Sequence, residues 1–209
     1  MVTRFLGIDL SDGVKRHHLI AYFFAAFISS SYAGALAMLQ PGLLQVMGIE
    51  RSAQAMLTGN LSALQEIILI LFFGPVGALA DRYGRKPVYI FGLLMTSLGF
   101  SLSPHANSMT TLIAYRVIVA FGSAAMIGMM VTVIADYTCD STRGKANGLQ
   151  ALIATLGAFL PPALGALPQV FANQGYDQLA AQQMTFGIAG SLGVIGALVV
   201  LVGLAPHVG

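Results

Sequence analysis

Hydrophobic positions along the chain fall into six long runs separated by short polar turns. The runs are about Leu19–Leu44, Met56–Ala80, Val88–Ser103, Thr110–Ala135, Gly148–Leu167 and Met184–Ala205. A hydrocarbon core of roughly 30 Å takes about 20 helical residues to cross. Inside lipid the backbone must satisfy its own polar groups, so each run predicts a spanning helix. The third is short and is expected to begin inside the preceding turn or to extend past Pro104. Lys15, Arg16, His17 and His18 precede the first run, as basic residues precede a secretory signal. Its apolar core exceeds the roughly 7–15 residues of a signal, and Gln40-Pro41-Gly42 is a poor cleavage context, so it too predicts a spanning helix.

The charges orient these spans. Arg4, Lys15 and Arg16 precede the first, Arg82, Arg85 and Lys86 lie between the second and third, and Arg143 and Lys145 lie between the fourth and fifth. With six spans, these eight of the ten Lys and Arg residues share one face; Arg51 lies on the other and Arg116 inside the membrane. Cations favour the cytoplasmic side, so both termini are expected there. Five or seven spans would scatter the same charges over both faces.

Composition agrees: 56% of residues are hydrophobic and 9% charged, with mean hydropathy +0.79, where average chains carry about a quarter charged residues. No soluble domain or low-complexity segment interrupts the pattern, so residues 1–209 read as one six-helix transmembrane domain. A single cysteine, Cys139, excludes an intrachain disulfide framework, and four scattered histidines show no metal-ligand spacing. No nucleophile–base spacing or phosphate-cradling loop is visible. An enzyme, a bound metal or cofactor and a nucleic-acid partner are therefore not expected.

The most informative polar stretch is Gly77-Ala-Leu-Ala-Asp81-Arg82-Tyr-Gly84-Arg85-Lys86-Pro87, between the second and third spans. Gly77 would let another helix approach, and Gly84 permits the positive φ that a tight turn often needs. Asp81 can cap a neighbouring helix or pair with Arg85. This stretch resembles the loop between helices 2 and 3 of major facilitator superfamily transporters. Three further segments resemble that family at the expected places. Arg116-Val-Ile-Val119-Ala120-Phe-Gly122-Ser-Ala124 is similar to its helix-4 element, with Val119 for the usual Gln and Ala120 for the usual Gly. Asp136 followed by Arg143-Gly144 resembles the acidic end of helix 4 and the start of helix 5. Gly157-Ala-Phe-Leu-Pro161-Pro162-Ala-Leu-Gly165 resembles the helix-5 element, with Pro161 where a glycine is usual.

The resemblance implies an all-α membrane protein: an N-terminal six-helix half, built of 3+3 helix repeats, of a twelve-helix transporter in the plasma or inner membrane. The two halves of such a transporter rock about a central site. A proton gradient, rather than a cofactor, would drive a small organic solute, and the helix-5 element favours antiport and efflux. Asp81, Arg85 and Asp136 would form a cytoplasmic latch, with Arg82, Gly84, Lys86 and Arg143 completing the gate motif. Gly77 and Asp81 would meet a helix of the second half. That half would be the rest of a longer chain, a second copy or a separate chain, because residues 204–209 fall where the family's central loop begins. The alternative is a non-transporting, half-size subunit of a larger membrane assembly.

Two ionisable residues lie within spans, where charge is costly and usually functional: Glu66 and Arg116. At ~1.5 Å per residue both lie roughly 9–14 Å from the same face. A carboxyl removed from water favours its neutral form. Glu66 is therefore a candidate for proton coupling, with Arg116 as its electrostatic partner or as a site for anionic substrate groups; a static pair is the plainer alternative. In this superfamily helices one and four line the cavity, so Tyr32 and Gln40 are candidate substrate contacts, against ordinary interhelical hydrogen bonding.

Overall fold

A computed structural model describes residues 4–205. Among them, six helical segments are long and apolar enough to cross a membrane. They are α1 (Arg16–Val46), α2 (Arg51–Tyr83), α3 (Arg85–Leu102), α4 (Met109–Tyr137), the pair α5 (Arg143–Gly157) and α6 (Leu160–Asn173), and α7 (Gln178–Gly203). A short hairpin, β1 (Arg4–Phe5) and β2 (Ile8–Asp9), precedes α1.

Local chemistry sets the boundaries. Gly84, at φ 94°, ends α2 and admits α3 at the next residue. The third span therefore starts at Arg85 and, through a 3₁₀ turn over Ser103–His105, reaches the length that the apolar run lacked. At α4, Ser108 and Thr111 cap each other reciprocally, with N···O distances of 3.0 and 3.2 Å. Asp177 Oδ1 accepts from the Ala180 amide at 3.3 Å and starts α7. α1 continues through Pro41 to Val46 instead of ending there.

The fifth span is broken where one continuous run was expected. Pro161 and Pro162 have no N–H to continue the ladder, and Ala158-Phe159 form the turn between α5 and α6. The carbonyl of Gly157, four residues before Pro161, loses its helical donor. Ser31 Oγ of α1 reaches it at 3.0 Å, sharing its one proton with the Phe27 carbonyl at 2.8 Å. This bond requires close helices: a methyl group added at Gly157 would lie 2.5 Å from the Phe27 carbonyl oxygen.

α3 packs between α4 and α7, while α1 packs on α7, α5 and α6. Glycines let these backbones touch, as is common where lipid provides no hydrophobic force between helices. A methyl at Gly92 would lie 2.6 Å from the Met126 amide, and one at Gly193 would lie 3.2 Å from the Leu93 carbonyl. Tyr89 and Ser29 hydrogen-bond at 2.9 Å in the interior, and Tyr22 donates to the Met130 carbonyl at 2.6 Å. α2 lies against α4 with most of its surface uncovered.

The amino-terminal segment is more ordered than its charges suggest. Leu6 and Gly7, both at positive φ, turn the β1–β2 hairpin. Leu10 pairs with Thr138 beyond α4, and the Cys139 amide donates to the Asp9 carbonyl at 2.9 Å. The Asp9 amide donates to Thr142 Oγ1, also at 2.9 Å. Ile8, Leu10 and Val14 are buried beneath this strap.

Candidate functional site

The one-residue turn at Gly84 places Arg85 at the first position of α3, one helical turn after Asp81. Asp136 comes to the same point from the last turn of α4. Arg85 Nε donates to Asp136 Oδ2 at 3.1 Å, and Nη1 donates to Asp81 Oδ1. One planar guanidinium thus joins three helix ends, for which its forked donors are suited. The two contacts differ in exposure: Arg85 and Asp136 are largely covered, whereas the Asp81 side chain is 67% exposed. An exposed pair contributes about 0–1 kcal/mol. The covered Arg85–Asp136 bond is the stronger tie, since losing one partner leaves the other desolvated.

Lys86 extends the junction. Its Nζ donates to the Leu204 carbonyl at 2.9 Å, satisfying a group past the carboxyl end of α7. Tyr137, next to Asp136, accepts the Ala205 amide at 2.9 Å. Four helices are therefore tied at one end of the bundle. Arg82 and Arg143 stand outside this cluster: Arg82 lies 5.4 Å from the Tyr83 ring centroid, and Arg143 pairs with Asp140 at 2.6 Å. Around Gly77, a methyl group would meet nothing within 4 Å.

Glu66 and Arg116 are not joined. Glu66 is exposed on α2, and the described ion pairs include neither residue. Arg116 is only 6% exposed, and its Nε has no hydrogen-bond partner. It shares a small cavity with Gln40, Ser103 and Phe186, and both amide atoms of Gln40 are likewise buried and unpartnered. A buried guanidinium without a counter-charge is costly, so this spot carries unspent polar capacity inside the bundle. Tyr32 is placed differently. Its hydroxyl donates to the Ala189 carbonyl at 2.5 Å, and its ring packs edge-on against Phe100 at 4.8 Å. It is a contact between α1, α3 and α7.

In the helix-5 element, Gly157, Pro161 and Pro162 make the α5–α6 break described above. Gly165 lets α6 approach α1, where a methyl would lie 3.5 Å from Met38 Cβ. Sequence reasoning missed the partner of Lys86, the role of Tyr137 and the amino-terminal strap. The signal for the strap was Ile8, Leu10 and Val14, apolar residues spaced through a charged stretch.

A bundle of six spanning helices with a guanidinium fork at one end is a multi-pass membrane architecture. Residues 19–208 match the model of the Major Facilitator Superfamily, and the chain belongs to that family. Its α1–α7 bundle is a half-bundle of that fold. The chain is 36% identical to Multidrug resistance protein 3 of Bacillus subtilis over 91 residues, covering 44% of this chain and 18% of that protein. It is 25% identical to Magnetosome protein MamH of Paramagnetospirillum magneticum over 169 residues, 77% of this chain and 38% of the relative. With the class H tetracycline resistance protein of Pasteurella multocida it shares 28% identity over 136 residues, 61% and 34% of the two chains. The chain spans about half the length of these relatives.

Proposed function

We propose that this chain is the amino-terminal half of a secondary transporter that exchanges protons for a small organic solute across the cell membrane, with both termini cytoplasmic. The observation that carries this reading is the Arg85 fork. It ties α2, α3 and α4 of this half at one end and leaves the Asp81 carboxylate exposed there, where a helix of a second, rocking half could engage and release it. Family membership and relatives named for multidrug and tetracycline resistance support a small-solute transporter. The eight cations gathered on one face support the orientation.

Glu66 is the proposed proton carrier. It lies on the uncovered face of α2, where a second half would seat, so its environment changes as the halves move. Arg116 and Gln40 are the proposed polar anchor for solute, since both are buried with hydrogen-bonding capacity to spare. Gly77 and Asp81 face the second half, and Arg82, Lys86 and Arg143 surround the latch.

The test is transport by the full-length protein in proteoliposomes, with an imposed pH gradient and ethidium or tetracycline as probe solutes. Gradient-driven accumulation is expected, abolished by Glu66→Gln and by a protonophore. Accumulation of neither probe by protein that is folded and correctly inserted would instead favour a non-transporting subunit of a larger assembly.

A further inference from the structure

A second polar site lies at the end of the bundle opposite Arg85, outside the residues assigned above. There the last turns of α1, the second half of α6 and the first turns of α7 border an open pocket of about 330 Å³, within the size range of small-molecule sites. Its lining is unusual for a membrane bundle, because four carboxamides converge on it from three helices. Gln45 comes from α1, Gln169 from α6, and Gln178 and Gln182 from α7. None of its lining residues is charged.

Gln182 makes this a built site. It is only 6% exposed, yet its Oε1 has no hydrogen-bond partner. A buried polar atom left without a partner costs about 1–3 kcal/mol. Gly42 of α1 makes room for it: a methyl there would collide with Gln182 Nε2. The chain thus gives up a side chain on α1 to hold a carboxamide at the pocket wall. Gln169 is oriented from below, its Nε2 donating to Asn173 Oδ1 at 3.0 Å, which leaves its own Oε1 for another donor.

We propose that this pocket binds a neutral polyhydroxylated group, either a free sugar or the glycosyl headgroup of a lipid. Each hydroxyl both donates and accepts, as does each carboxamide. A hydroxyl donating to Gln182 Oε1 satisfies the stranded acceptor, and its neighbours accept from the Gln45 and Gln178 amides. Uncharged walls disfavour a full charge that would have no counter-charge in the pocket. Met38 and Pro168 offer the apolar surface on which the face of a pyranose ring can lie. This site does not depend on the transport reading.

The full-length protein, purified from its membrane into lauryldimethylamine oxide to avoid sugar detergents, is titrated with sucrose by saturation-transfer NMR. In parallel, nanodiscs containing monoglucosyl diacylglycerol are analysed by native mass spectrometry for retained lipid. Saturable sucrose binding assigns the site to free sugars, and retention of the glucosyl lipid alone assigns it to a headgroup. In either arm Gln182→Leu is expected to weaken binding about tenfold and Gln178→Ala, at the exposed start of α7, about threefold. Absence of saturation in both arms, or binding by both variants like that of the wild type, overturns the proposal.

Discussion

Glycine does opposite things in two regions of this molecule. In α3, α4 and α7, Gly92, Gly122 and Gly193 meet a facing helix so closely that an added methyl would strike its backbone or side chains. In α2 and α5, Gly59, Gly74, Gly77, Gly144 and Gly148 meet nothing within 4 Å. Burial follows the same division: 67% of the apolar window of α1 and 61% of that of α4 is buried, against 17% for α2 and 17% for the α5–α6 span. The lesson is that small residues alone do not mark an interface within the chain. Gly59, Gly74, Gly77, Gly144 and Gly148 lie on surface that no helix among the described residues covers, whereas Gly157 of α5 packs on α1.

The comparison can be broken most strongly at the packed glycines. Gly92→Leu should destabilise the bundle by about 1–3 kcal/mol or more through overpacking, read as a lower midpoint in thermal unfolding in detergent. Gly74→Leu meets no neighbour among the described residues and should leave the midpoint of residues 1–209 alone unchanged. Equal losses from both would erase the distinction between the regions.

Next in size is the polar junction. Arg85→Ala should cost about 1–3 kcal/mol, because it leaves Asp136 partly buried without its donor, while Asp81→Asn should cost less than about 1 kcal/mol. If denaturant titration ranks them the other way, the exposed contact is the principal tie. Ser31→Ala should cost about 1 kcal/mol by stranding the Gly157 carbonyl at the α5–α6 break. Amide exchange near Ala158 should rise in that variant and remain unchanged in Ser30→Ala, whose hydroxyl bonds Ala26 and Met130 rather than Gly157. Tyr137→Phe should cost about 0.5–1.5 kcal/mol for the lost bond to the Ala205 amide. Faster exchange should be confined to the carboxyl end of α7.

Much of this architecture was legible because lipid is a simple solvent. It demands long apolar helices, and the cations between them leave a readable trail; the six spans follow from those two rules, while of the two roles open to Asp81, a cap or a pair with Arg85, the structure shows the pair. The Asp136 contact was reachable only through the family resemblance, since the two residues lie 51 positions apart. Glu66 and Arg116 show the limit of depth arithmetic. Equal depth does not set rotation about the helix axis, and Glu66 turns outward while Arg116 turns in. Tyr32 donates to the Ala189 carbonyl across the α1–α7 contact, a partner that spacing along one helix does not reveal. The α5–α6 break was written in Pro161-Pro162, but its repair by Ser31 depends on a contact 126 residues away. The amino-terminal hairpin escaped because its strands are two residues each, below the length at which alternation is readable.

The central claim is that the uncovered faces of α2 and α5–α6 seat a second six-helix unit. It is tested most directly by cross-linking in the native membrane. Cys139 is first replaced by Ser, and single cysteines are then introduced at Gly74 on α2 and at Leu152 on α5. A short bifunctional maleimide should join each to a helix of another six-helix unit, identified by peptide mass spectrometry, whether in the same chain, a second copy or a separate protein. If both cysteines instead react freely with a lipid-soluble maleimide and yield no cross-link to any helix, those faces are lipid-facing and the account is wrong.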